Sequence, residues 1–172
     1  MRGYHYRLRT RAKVFLILLI AWMSLIFIMS SMPGEESTDL SNIFLRLGNR
    51  FLLWIAPGTS LAFRSFLVRK AAHVTEYLIL EILMVFTLRE WIRSKNKDVM
   101  RKSFYIELLL RPFLLGIAYA GSDEFHQYFI SERSAQWKDV MIDSIGLFLG
   151  LLLSWLILNI LYRRGLQRTT LS

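Results

Sequence analysis

The sequence predicts an all-α, polytopic membrane protein: four transmembrane helices, with an interfacial amphipathic helix between the first and the second. Three observations predict it. Of the 172 residues, 54% are hydrophobic, and the mean hydropathy is +0.37, too apolar for an ordinary soluble domain. The formal charge is nevertheless +9, which fits when apolar residues are gathered into spans and charges into loops and tails. Four apolar stretches are long enough to cross a hydrocarbon core about 30 Å thick. There is no cysteine, so disulfides, thiol nucleophiles and thiolate-held metals are excluded. A basic balance also suits nucleic acid, but no basic motif with interleaved aromatics marks a soluble domain. Nucleic acid is therefore not an expected partner. The excess of Lys and Arg suits loops held against anionic lipid.

Residues 1–13 hold Arg2, Arg7, Arg9, Arg11 and Lys13 and no acid, and read as a basic cytoplasmic N-terminus. A transmembrane domain spans 14–162, and residues 163–172 form a basic cytoplasmic tail. The first span covers about 14–31. A basic start before an apolar run also describes a signal peptide, but this run is long, and Met29-Ser-Ser-Met-Pro33 is a poor small-residue cleavage site. Pro33 and Gly34 end regular helix.

In the long connection that follows, Leu40, Ile43, Phe44, Leu47, Phe51, Trp54 and Ile55 recur at helical spacing. Ser41, Asn42, Arg46, Asn49 and Arg50 lie largely opposite, the pattern of a helix lying in the membrane interface. Arg46 and Arg50 argue against a further span. Pro57-Gly58 ends that helix, and Thr59 or Ser60 caps a shorter apolar one leading to Arg69.

The second span covers about 71–88, with Arg69, Lys70, His73, Glu76, Tyr77 and Glu81 in or before its first half. A basic loop follows, holding Arg89, Arg93, Lys95, Lys97, Arg101 and Lys102 against Glu90 and Asp98. The third span covers about 108–130, with Arg111-Pro112 near its start. The fourth covers about 139–162, and Arg163, Arg164 and Arg168 close the chain. Four spans put the three acid-poor basic segments on one side, which the positive-inside rule makes cytoplasmic. Every polar cluster then falls in the outer half of the bilayer, so the expected site faces outward.

Helical spacing says which side chains share a face. Arg69, His73, Glu76 and Tyr77 sit at i, i+4, i+7 and i+8, and Tyr119, Asp123, His126 and Gln127 repeat that spacing. Asp139, Asp143, Gly146 and Gly150 sit at i, i+4, i+7 and i+11, the glycines letting another helix approach closely. Ionisable groups inside a membrane are costly, so these stripes are expected to converge. Candidate catalytic residues are His73, Glu76, Asp123, His126 and Asp143. Candidate substrate-binding residues are Arg69, Lys70, Tyr77, Glu124, Gln127, Arg133 and Asp139.

Three readings compete. In the first, the carboxylates pair with Arg69, Lys70 and Arg133 and only fix helix packing. In the second, His126 with Asp123, or His73 with Glu76, forms a general-base pair in an enzyme. Arg69, Lys70 and Arg133 then hold a phosphate or carboxylate of an outer-leaflet lipid or lipid-linked precursor. A divalent metal on His73, Glu76, Asp123 and His126 is a variant of this reading, since His and acid at i, i+3 occur in metal-binding bundles. Zinc, manganese and iron suit such donors about equally, and the sequence identifies no cofactor. In the third, a basic and aromatic cavity binds an amphiphile without transforming it. Trp54, Tyr128 and Trp137 suit that third reading, although interfacial aromatics discriminate little.

Several pieces together resemble the VanZ-like family of bacterial membrane proteins. They are Ser30-Ser31-Met32-Pro33-Gly34, then Arg69-Lys70-Ala-Ala-His73-Val-Thr-Glu76-Tyr77, then Asp123-Glu124-Phe-His126-Gln127-Tyr-Phe129. Arg133 follows, with Asp139-Val-Met-Ile-Asp143-Ser-Ile-Gly146 and Gly150. The resemblance covers about residues 14–160. Before Arg133 stands Ile130-Ser131-Glu132, where many family members have a Pro-Gly turn. The resemblance implies a cell-envelope role at the outer face. The family's namesake is associated with low-level resistance to teicoplanin, a lipid-tailed glycopeptide. Membrane lipid, a lipid-linked envelope precursor and a lipoglycopeptide are the partners so implied; the resemblance supplies no reaction.

Overall fold

The computed structural model describes residues 2–31, 38–55, 57–95, 102–130 and 136–170, with side chains at 9–31, 46–55, 57–95, 105–130 and 136–163. Its elements are α1 (Arg2–Ser31), α2 (Thr38–Ile55), α3 (Leu61–Ser94), α4 (Lys102–Gln127) and α5 (Trp137–Thr170). No strand occurs among the described residues. Three segments are long and apolar enough to cross a membrane: Arg9–Ser31, Leu61–Ser94 and Trp137–Arg163. The fourth expected span falls on α4, whose 26 residues include Glu107, Arg111, Asp123 and Glu124.

One expectation changes in α3. Ser60 does cap a helix, its side chain accepting from the Phe63 amide at 3.2 Å. That helix does not stop near Arg69. It runs unbroken to Ser94 because no Gly or Pro interrupts 61–94. Arg89, Glu90 and Arg93, expected in a loop, therefore lie on its last turns. Glu90 is buried there and accepts from Arg89 at 2.5 Å and from Arg93 at 3.3 Å. Pro112 lies inside α4, where its missing N–H leaves the Leu108 carbonyl without its helical donor.

Contacts fix the directions. Lys70 meets Asp139, His73 meets Asp143, and Gly150 lies against Leu78 and Glu81; α3 and α5 therefore run parallel. On α4, Asp123 meets Tyr77, Gly116 lies against Glu81, and Leu108 packs with Val85 and Leu158. Hence α4 runs opposite to both. On α1, Phe15 stacks on Phe86 with centroids 5.9 Å apart, and the Trp22 indole donates to the Glu76 carbonyl at 3.0 Å. So α1 also runs opposite to α3. α2 lies along the start of α3, with Gly48 against Val68 and Asn49 donating to Ser65 at 3.2 Å.

The bundle inverts the usual division of a soluble protein. Ile17, Leu115, Ile145 and Leu152 are exposed, whereas Glu81, Asp123, Gln127, Asp143 and Ser154 are buried. Apolar surface outward and polar groups inward is what lipid requires. The core between them is Ile26, Tyr77, Leu80, Met84, Ala120 and Leu147, with a second cluster of Val85, Leu108 and Leu158.

Glu81 is fully buried, and neither carboxyl oxygen has a hydrogen-bond partner among the described residues. A Cβ at Gly116 would sit 3.4 Å from Glu81 Oε2, and one at Gly150 would sit 2.8 Å from Glu81 Cβ. Two helices thus give up side chains to admit it. A buried polar group without a partner costs about 1–3 kcal/mol. Glu81→Met keeps the unbranched shape and removes that cost, so it should raise the Tm of the purified protein. A lowered Tm would show that the carboxyl is favourably satisfied.

Candidate functional site

The ends of α1 and α4 and the starts of α3 and α5 meet at one end of the bundle. The outermost layer is the Lys70–Asp139 ion pair between α3 and α5, with side chains 25% and 20% exposed. Lys70 also lies over the Phe66 ring, 5.6 Å from its centroid. One turn deeper, His73 Nδ1 is 3.4 Å from Asp143 Oδ1. The two are close enough for charge pairing but lack the alignment of a hydrogen bond. Asp143 is 2% exposed.

One further turn along α3, the Tyr77 hydroxyl donates to Asp123 Oδ2 at 3.4 Å. Gln127 donates to the same oxygen at 3.2 Å. Tyr77 is fully buried, and the rings of Tyr77 and Tyr119 lie 6.4 Å apart. Asp123 and Asp139 both act electrostatically on Asp143, and all three act on Glu124. The structure thus brings His73, Tyr77, Asp123 and Asp143 together in adjacent turns of one end of the bundle.

The pairings differ from those the spacing suggested. His73 meets Asp143 of another helix, and Glu76 adds an electrostatic contribution to it. Asp123 is engaged by Tyr77 and Gln127, and His126 Nε2 instead meets Ser31 Oγ at 3.0 Å. Spacing of i, i+3 puts two side chains on one face of a helix but does not choose their partners. His126 also stacks on Phe27, centroids 4.5 Å apart.

These contacts make α1 a fourth wall, which the polar stripes on three helices did not disclose. The Tyr119 hydroxyl donates to the Met23 carbonyl at 2.7 Å, and Trp22 bonds the Glu76 carbonyl. The available signals were Trp22 inside an apolar run and the Ser30-Ser31 pair at its end. Glu124, a candidate for binding, accepts from the Gln136 backbone amide at 2.5 Å and ties the start of α5 to α4. Arg69 is exposed, and Lys70 takes the ion pair. Arg133, and with it Pro33 and Gly34, lies outside the described residues.

The donor set for a metal does not assemble. Among the described residues no three His, Asp or Glu side chains converge as metal ligands would. His73 and His126 engage different helices, α5 and α1, so His73, Glu76, Asp123 and His126 do not form one coordination sphere. What the arrangement can do is hold hydrogen-bonding groups against buried carboxyls, or let the His73 imidazole move a proton with Asp143 beside it.

A family model described as VanZ/LLP1 matches residues 15–159. Searches of curated proteins and of solved structures found no match.

Proposed function

The chain belongs to the VanZ/LLP1 family, and from that premise we propose that it is a multi-pass cell-envelope protein whose outward-facing polar site binds or acts on an amphiphile. In doing so it modulates sensitivity to lipophilic glycopeptides of the teicoplanin type. The observation that carries the reading is the meeting of His73, Tyr77, Asp123 and Asp143 from three helices in adjacent turns at one end of the bundle. Buried ionisable groups inside a membrane bundle are costly and mark functional sites by default.

In this reading α4 is a fourth span. Its opposed register along α3, from Tyr77–Asp123 to Val85–Leu108, supports that. Both termini are cytoplasmic, and Arg11 and Arg93, which both act on Arg89 at the far end of the bundle, support that side as the inner one. α2 lies in the outer interface, with Leu47, Phe51 and Trp54 exposed to lipid. The partner is a membrane lipid, a lipid-linked envelope precursor or the lipoglycopeptide itself.

The His73–Asp143 pair favours a second reading, a hydrolase or transferase for a lipid or lipid-linked cell-wall precursor. There the imidazole is the general base and Asp143 its orienting carboxyl. A structural assembly partner without ligand is the third alternative. Complementation separates it. Alanine at His73, Glu76, Asp123 or His126 should abolish the effect on teicoplanin susceptibility while the protein still accumulates in membranes. Failure of all four variants to accumulate would leave only a packing network.

A further inference from the structure

Three carboxyls follow one another into the site. Asp139 and Asp143 are one turn apart on α5, and Asp123 of α4 acts on Asp143. The chain fills the first with its own primary ammonium, that of Lys70. Among the described residues it supplies no ammonium or guanidinium to the other two. Asp143 Oδ1 faces only the misaligned His73 nitrogen, Asp123 accepts on Oδ2 alone, and both Oδ1 atoms are buried without a hydrogen bond.

A third orphan is on α1. Ser30 is 5% exposed and its Oγ has no partner among the described residues. It sits one turn beyond Ile26, a member of the core cluster that holds Tyr77 and Ala120. The two aspartate Oδ1 atoms are therefore buried acceptors without a donor, and the rim beside them is partly open at Lys70 and His73, 25% and 28% exposed.

Resting on the outer-site reading above, we propose that the amphiphile enters by a primary ammonium headgroup, which donates to Asp143 Oδ1 and Asp123 Oδ1 as Lys70 donates to Asp139. An ammonium offers three N–H donors and a compact charge. A phosphate headgroup brings only acceptors and like charge to a layer that already holds Asp123, Glu124, Asp139 and Asp143.

Purified full-length protein in neutral detergent would be titrated with three amphiphiles of one tail: dodecylammonium, dodecyltrimethylammonium (charge without N–H) and dodecyl phosphate. Dodecylammonium should raise the Tm and bind at least about tenfold tighter than either of the others, the worth of one charge-assisted hydrogen bond. Asp143→Asn and Asp123→Asn should each weaken it by about tenfold on the same ground. Lys70→Gln frees Asp139 and should strengthen ammonium binding, whereas an anion site would be weakened by it.

Equal binding of the trimethyl probe, tighter binding of phosphate, carboxamide variants that bind unchanged, or weaker ammonium binding in Lys70→Gln would each overturn the proposal. If no probe binds while the alanine variants still lose their effect on susceptibility, the ammonium assignment fails and the outer-site reading stands. If those variants also keep their effect, the outer-site reading fails with it.

Discussion

Asp143→Asn is expected to abolish the effect on lipoglycopeptide susceptibility that we propose for the protein, and to leave the bundle folded. Asp143 is 2% exposed, lies 3.4 Å from His73, and keeps one buried oxygen without a hydrogen bond. The carboxamide has the same shape but lacks the charge that faces the imidazole and puts an N–H where the acceptor was. If the site is catalytic, the variant leaves the His73 general base without its orienting carboxyl, and general-base catalysis is worth about 10²–10⁴-fold in rate; loss of a buried charged acceptor costs about 1.5–3 kcal/mol of hydrogen bonding if the site only binds. Asp139→Asn should do much less, because its pair with Lys70 is one-fifth to one-quarter exposed, and surface pairs are worth about 0–1 kcal/mol. The check is complementation, with membrane accumulation measured by blotting. Equal effects at Asp139 and Asp143 would mean that depth in the site does not matter.

The second large effect is expected at the glycines of α5. A Cβ at Gly146 would collide with the Val74 carbonyl oxygen, and one at Gly150 would lie 2.6 Å from the Leu78 carbonyl oxygen. Both obstacles are backbone, so no side chain can turn aside; α3 and α5 must move apart. Overpacking of this kind costs about 1–3 kcal/mol at each site, and it would also pull Lys70 from Asp139 and His73 from Asp143. Gly146→Ala and Gly150→Ala should each lower the Tm in detergent, and together they should prevent accumulation. Gly121 is the control, since nothing lies within 4 Å of a Cβ built there. Gly121→Ala should be neutral or should stabilise, as a helical glycine costs about 0.5–1 kcal/mol relative to alanine. An unchanged Tm for Gly146→Ala would refute the close approach.

Much of the site is legible in the sequence because its residues obey helical periods. The stripe Asp139, Asp143, Gly146 and Gly150 marks a face, and that face does pack on α3. Ser60 marks a cap, and Phe51 and Trp54 mark a face of α2 that stays exposed. Partners are less legible. His73 has an acid at i+3, Glu76, yet its closest acid is Asp143, 70 positions away in sequence. The engagement of His126 by Ser31 and Phe27 joins residues about 95 and 99 positions apart, and no local pattern encodes it.

The sequence by itself determined the all-α class, the apolar segments suited to a membrane and the family, because apolar runs and turn residues are local properties of the chain. Only the tertiary structure decided that α3 and α5 pack in direct contact, that α1 closes the fourth side, and that Glu81 lies between two glycines. Those outcomes depend on which faces interlock across the bundle. Backbone approach at glycine, not helical spacing, settles which carboxyl meets which base.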